Sequence, residues 1–150
     1  MRKAFTLGFI GCGDIATDLA RVVGMTPGVR IGSCADPDGA RRATFARRFA
    51  VRALYDSAEE FMEKERPDAL FVGIPHHLHY PVVMDALGRG HNVLCEKPLA
   101  IVMEQARGMV DTARGKNLKL AVNYQYRYDR NAHALIMLCR EGLLGDISHC

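Results

Sequence analysis

Phe5-Thr6-Leu7-Gly8-Phe9-Ile10 runs directly into Gly11-Cys12-Gly13-Asp14-Ile15-Ala16. The first six residues form an apolar run of strand length. The next six read Gly-x-Gly-x-x-Ala, at the point where a strand would pass into a helix. Each small residue has a physical reason in a dinucleotide-binding turn. Gly11 permits the tight turn, Gly13 places no Cβ in the way of a pyrophosphate, and Ala16 lets helix and strand approach closely. The start of the helix supplies unpaired N–H groups and the positive end of a dipole, so phosphates are expected there. Asp14 is an anion close to that position, and as an N-cap it would turn its carboxylate away.

Working outward, further strand-like runs occur at Val29–Ala35, Val51–Tyr55, Ala69–Ile74, Asn92–Cys95 and Leu118–Tyr124, with helical spacing between most of them. Alternation at about 20–27 residues per unit is what right-handed βαβ crossovers produce, and near-continuous apolar strands belong to a parallel sheet covered on both faces. The fold class expected is α/β: a doubly wound, six-stranded parallel Rossmann sheet with helices on both faces. Asp14, Asp38 and Ser57 are expected N-caps, and Gly24, Gly88 or Gly90, and Gly115 the stops. Residues 1–124 read as one nucleotide-binding domain. Residues 125–150 read as a connecting helix, Asp129–Glu141, closed by Gly142, and a strand beginning at Asp146–Cys150. Ala132, Ala134 and Leu135 to Cys139 leave that helix almost no polar face, so it is expected to be covered, and a homo-oligomer is expected.

Composition narrows the function classes. The 150 residues are 49% hydrophobic and 25% charged, as in an ordinary packed domain and unlike a disordered or collagenous chain. A net charge of +3, from 20 basic and 17 acidic residues, is no nucleic-acid or membrane footprint. The longest stretch free of Asp, Glu, Lys and Arg, Ala69 to Met84, holds three histidines and two prolines, and a span needs about 20 mostly apolar residues. Five cysteines, far apart and inside apolar runs, match neither a disulfide framework nor a zinc motif, so a reducing compartment, the cytoplasm, is expected.

Asp36 ends the second strand 23 residues after Gly13, where a carboxylate accepts from both adenosine ribose hydroxyls and so favours NAD. A 2′-phosphate would be repelled there, yet Arg41 and Arg42 lie just beyond and would receive one if Asp36 swung aside. NADP stays open. The plainer reading makes Asp36 the start of the Asp36-Pro37-Asp38-Gly39 turn and the arginines a solvated helix face. Ile74-Pro75-His76-His77-Leu78-His79 follows the fourth strand, beside the switch point where ligands lie in such sheets. No Cys, Asp or Glu accompanies these histidines at ligand spacing, so no metal is expected. The segment reads as a loop flanking the nicotinamide ribose, with His79 opening the next helix. Cys95-Glu96-Lys97-Pro98 places a charged pair at the end of a buried strand. The Lys97 ammonium would hold a substrate hydroxyl or stabilise charge on oxygen as hydride leaves the adjoining carbon, with Glu96 setting its position and charge. The plainer reading is an exposed salt pair.

Gly11-x-Gly13-x-x-Ala16, Asp36, Pro75 with His79, Glu96-Lys97-Pro98 and Asn123-Tyr124-Gln125-Tyr126-Arg127 together resemble, in order and spacing, the Gfo/Idh/MocA family (glucose–fructose oxidoreductase, inositol dehydrogenase, rhizopine catabolism). Glu-Lys-Pro is the most specific element. The resemblance implies an NAD(P)-dependent oxidoreductase acting on a hydroxyl-bearing carbon of a sugar, inositol or polyol, with cofactor on this domain and substrate between domains. It implies that Gly11, Cys12, Gly13, Asp14 and Ile15 contact the pyrophosphate, Asp36 the adenosine ribose, and Ile74, Pro75, His76 and His79 the nicotinamide side. Lys97 would be the catalytic residue at the reacting hydroxyl, and Glu96, Asn123 and Arg127 would line the nicotinamide and substrate pocket. Ile74-Pro75-His76 departs from the common Thr-Pro-Asn, and Arg127-Tyr128-Asp129-Arg130 from Arg-Phe-x-Pro. The resemblance covers the N-terminal half of a typical member. A second, α+β domain carrying a catalytic Asp and His is absent from this chain, which alone is expected to be inactive. A non-catalytic NAD(P)-binding redox sensor would use the same glycine loop and Asp36 without needing Glu96 and Lys97.

Overall fold

The computed structural model describes residues 4–146 and 148. Six strands, β1 (Phe5–Ile10), β2 (Val29–Ala35), β3 (Ala53–Tyr55), β4 (Ala69–Val72), β5 (Val93–Glu96) and β6 (Leu120–Asn123), form one sheet in the order β3-β2-β1-β4-β5-β6. Every neighbouring pair is parallel. The helices are α1 (Asp14–Gly24), α2 (Gly39–Phe49), α3 (Ala58–Lys64), α4 (His79–Gly88), α5 (Met103–Gly115) and α6 (Arg130–Arg140).

Because side chains alternate along a strand, the sheet builds two cores. Leu7, Phe9, Cys34 and Phe71 face α1 and α2, where they pack with Ala16, Ala20, Val23 and Phe45. Ile10, Ala35, Leu70 and Val72 face the other way, against Phe61 and Met62 of α3, Val83 and Leu87 of α4 and Met109 of α5. Right-handed crossovers require this division, since the chain moves outward in one direction through β2 and β3 and in the other through β4, β5 and β6.

Local chemistry accounts for most boundaries. Asp38 caps α2 by accepting from the N–H groups of Ala40 and Arg41, both at 3.0 Å, and Ser57 caps α3 through Glu60 N–H at 3.1 Å. Asp14 is not a cap: Gly13 holds the N-cap position and Asp14 is the first helical residue. It still favours the helix, as an acid beside the positive dipole end. The third strand is shorter than expected, because Val51 N–H bonds to Ala46 O to close α2 over Ala50, which adopts φ 54°. Likewise Leu118 N–H bonds to Ala113 O at the end of α5, so β6 begins only at Leu120. β4 ends at Val72, short of Ile74, while β5 extends to Glu96, which pairs with Asn123.

Beyond the sheet, a 310 turn at Gln125–Tyr128 leads to α6, capped by Asp129. Leu135, Ile136, Met137 and Leu138 of α6 are exposed. The strand expected at Asp146–Cys150 lies largely outside the described residues. Among the described residues no helix is long and apolar enough to cross a membrane.

Candidate cofactor and active site

The strand order places β1 beside β4, yet the helices that follow them leave on opposite faces, so a crevice opens at the carboxyl ends of these two strands. Along that edge the candidate residues fall in a line: Asp36 after β2, the glycine loop after β1, Ile74 and Pro75 after β4, Glu96 and Lys97 at the end of β5, and Asn123 ending β6.

Gly11 sits at φ +93°, and a Cβ there would lie 2.2 Å from the carbonyl oxygen of Gly73. The loop after β1 is thus pressed against the loop after β4, a contact only glycine allows. At Gly13 the opposite holds, with no atom within 4 Å of where a Cβ would stand. That open space adjoins the first turn of α1, whose leading N–H groups have no intrahelical partners. Cys12 and Ala16 are buried behind the loop, whereas Asp14 and Ile15 are exposed on it. The Cys12 thiol is held in its protonated form by hydrogen bonding to Cys34 and by burial, and the Cys34 thiol is lowered by the same bond. Neither arrangement prepares Cys12 as a nucleophile.

Asp36 is buried, and its carboxylate is already at work. Oδ2 accepts the Cys12 N–H at 2.8 Å and Oδ1 accepts the Asp38 N–H at 2.9 Å. A carboxylate offers roughly four lone-pair positions, so acceptor capacity remains for ribose hydroxyls. The two arginines beyond it separate. Arg42 donates to the Asp36 carbonyl and pairs with Asp56 at 2.5 Å, with its side chain 18% exposed. Arg41 is 58% exposed and lies 3.9 Å from Asp38, on a cleft of about 650 Å³ that also meets Cys12, Asp14 and Thr17.

The histidines do not share a role. His76 and His77 are exposed on a 310 turn, His76–Leu78, whereas His79 opens α4 and is 0% exposed. Its Nδ1 lies 2.8 Å from the Pro98 carbonyl oxygen and its Nε2 3.0 Å from that of Ile74. His79 thus bridges the Ile74 and Pro98 carbonyls with its ring fully buried. Among the described residues no cluster of His, Cys, Asp and Glu could hold a metal.

Glu96, also buried, accepts from Asn123 Nδ2 through Oε1 and from the Lys97 N–H at 3.0 Å through Oε2. The expected pairing of Glu96 with the Lys97 ammonium is absent. Glu96 holds the backbone of Lys97 instead, and no ion pair engages the ammonium among the described residues. Lys97 shares a cavity of about 410 Å³ with Tyr124, Gln125, Tyr126 and Arg127.

A sequence profile for an oxidoreductase family, NAD-binding Rossmann fold, matches residues 5–124. The chain belongs to the Gfo/Idh/MocA family. Rhizopine catabolism protein MocA of Rhizobium meliloti is 30% identical over 143 residues, 95% of this chain and 44% of that protein. Inositol 2-dehydrogenase of Corynebacterium glutamicum (strain R) is 28% identical over 149 residues, 98% and 44% of the two chains. Among solved structures, a mutant 3-ketoreductase from Actinomadura kijaniata, in complex with TDP-benzene and NADP, superposes with a TM-score of 0.88 at 28% identity, over 96% of this chain and 44% of that one. An Agrobacterium radiobacter oxidoreductase in complex with NAD+ shares the fold, with a TM-score of 0.87 at 22% identity, over 95% and 42% of the chains. The chain spans less than half the length of these relatives.

For a Gfo/Idh/MocA domain the residues present fit a dinucleotide: an open position at Gly13, a helix N-terminus behind it and a buried acid after β2. Sequence reasoning assigned no role to Gly73, whose carbonyl abuts Gly11, or to Tyr124, Gln125 and Tyr126 as cavity walls. A glycine just after an apolar strand was the available signal for the first. For the walls there was only their place within the Asn123–Arg127 segment.

Proposed function

We propose that this chain forms the NAD(P)-binding part of an oxidoreductase that moves a hydride between a hydroxyl-bearing carbon of a sugar, inositol or related polyol and the nicotinamide. Residues 1–124 would carry the cofactor and residues 125–150 lead toward the substrate side. The observation that carries the reading is the cavity shared by Lys97 and Arg127 at the β5–β6 end of the crevice, with no ion pair on the Lys97 ammonium among the described residues. NAD, when bound, supplies the hydride acceptor.

The chain's own residues divide the remaining work. Gly11, Cys12, Gly13, Asp14 and Ile15 present the start of α1 to the pyrophosphate, and Asp36 accepts from the adenosine ribose while bracing the loop. Ile74, Pro75 and His76 flank the nicotinamide side. Lys97 holds the substrate oxygen and opposes the negative charge that builds there, with Arg127 binding a neighbouring polar group. Asn123 and Glu96 hold Lys97 in place. The hydroxyl proton passes to a base from the rest of the protein, which lies outside this chain. The unpaired buried thiols of Cys12, Cys34 and Cys95 suit a reducing compartment such as the cytoplasm.

Calorimetric titration with NAD and NADP tests cofactor binding directly, and no heat with either, together with no thermal shift, overturns it. In the longer protein, Lys97→Ala should lower turnover by about 10²-fold or more while leaving NAD affinity unchanged. Undiminished turnover would favour the sensor reading.

A further inference from the structure

His79 is a fully buried side chain, and both its ring nitrogens face carbonyl oxygens, Nδ1 toward Pro98 at 2.8 Å and Nε2 toward Ile74 at 3.0 Å. Carbonyl oxygens only accept. A neutral imidazole donates from one nitrogen, so in either neutral tautomer the other nitrogen would point a lone pair at a carbonyl lone pair within hydrogen-bond distance. Only the ring protonated at both nitrogens satisfies both carbonyls, and charged donors also make the stronger bonds. A buried cation needs negative charge nearby. Glu96, a buried acid two residues before Pro98, lies in the same segment that His79 grips.

The two carbonyls belong to the two segments that frame the nicotinamide end of the crevice. Ile74 precedes Pro75 in the loop after β4, and Pro98 directly follows Lys97. The backbone is thus held on both sides of Lys97, by Glu96 on its N–H at 3.0 Å and by His79 on the next carbonyl at 2.8 Å. Its side chain is left free to enter the cavity shared with Arg127. We propose that His79 is a positioning residue, doubly protonated, that locks the β4 loop to the Lys97-Pro98 segment and thereby sets the reach of Lys97. The role given to Lys97 rests on the function proposed above, whereas the clamp itself does not.

Nitrogen-15 NMR of the chain labelled at histidine tests the clamp without any ligand. The expected result near neutral pH is one histidine, absent from the spectrum of His79→Asn, whose two ring nitrogens both carry slowly exchanging protons. A bare nitrogen on that ring overturns the proposal. In His79→Asn, whose single, shorter-reaching amide nitrogen does not span the two carbonyls, amide exchange at Lys97 should accelerate about tenfold, with little change at Phe9 and Phe71 in the sheet. Equal acceleration throughout the sheet would mean a structural residue only, and no change at Lys97 would also overturn the clamp. Should the variant fail to fold, selective proline labelling to identify the ring N–H coupled to the Pro98 carbonyl decides the matter in the unmodified chain. Failure of the chain to bind NAD would remove the proposed function while leaving these measurements to judge His79 separately.

Discussion

Asp36 Oδ2 accepts the backbone N–H of Cys12 at 2.8 Å, so the acid expected to face a ribose also braces the glycine loop. Asp36→Ala would strip a buried N–H of its partner, at a cost of about 2 kcal/mol. For a chain of this size, Tm should fall by roughly 4–8 °C and NAD should bind more weakly. Thermal melts with and without NAD check both effects, and an unchanged melt of the free chain would refute the bracing role.

Gly11 and Gly13 should respond oppositely to the same substitution. Gly11→Ala meets the Gly73 carbonyl at 2.2 Å and a φ of +93°, and should destabilise by about 2–4 kcal/mol. Gly13→Ala meets nothing within 4 Å and should change stability by no more than about 1 kcal/mol, while weakening NAD by about tenfold or more. Denaturant melts paired with calorimetry separate the two cases. Equal stability losses would remove the argument that Gly13 is kept for a ligand.

Arg41 and Arg42 differ in their freedom. Arg42 is engaged by the Asp36 carbonyl and by Asp56, whereas Arg41 is the more exposed and lies on the cleft beside Cys12. Arg41→Ala should reduce NADP affinity and spare NAD, because the lost partner is a phosphate. Arg42→Ala should lower stability by about 1 kcal/mol and weaken both cofactors alike. Titrating each variant with both nucleotides shows which arginine discriminates.

Tyr55 donates its hydroxyl to Glu65 at 2.6 Å, and that bond, aided by partial burial, raises the phenol from 10.0 to about 12. The bond needs the neutral phenol. Its contribution is therefore whole below pH 10, declines as pH rises toward about 12, and is gone above that. The stability difference between the unmodified chain and Tyr55→Phe should be constant up to pH 10 and then shrink. A gap that persists to about pH 12 would contradict this.

The α6 face carries Leu135, Ile136, Met137 and Leu138, each 39–54% exposed. Light scattering should report a mass above the 16.6 kDa of one chain, and Ile136→Glu should restore the monomer. A monodisperse monomer of the unmodified chain would refute self-association.

Most of the sheet was legible because strand runs, turn glycines and caps are local. Asp38 and Ser57 cap their helices as expected, and His79 opens α4. Boundaries shifted where a further bond intervened, local at Val51 and Leu118, which close the preceding helices, and distant at Glu96, whose pairing with Asn123 extends β5. In the site, the placement of the glycine loop, Asp36 and Lys97 was legible from chain order. The partners of Asp36, Glu96 and His79 were not, because Cys12 N–H, Lys97 N–H and the carbonyls of Ile74 and Pro98 are backbone atoms with no signature in residue type.

The sequence by itself determined the alternation of strands and helices, the glycine turn at the start of α1 and the order in which acidic and basic residues meet the carboxyl edge. These depend on local sterics and on hydrophobic periodicity, which act within a few residues of chain. Only the tertiary structure decided that Glu96 grips the backbone of Lys97 instead of its ammonium, that Arg42 is committed while Arg41 stays largely exposed, and that His79 lies beneath the site. Those contacts span from one residue, between Glu96 and Lys97, to 19, between His79 and Pro98, and in each of them hydrogen-bond geometry and burial select the partner.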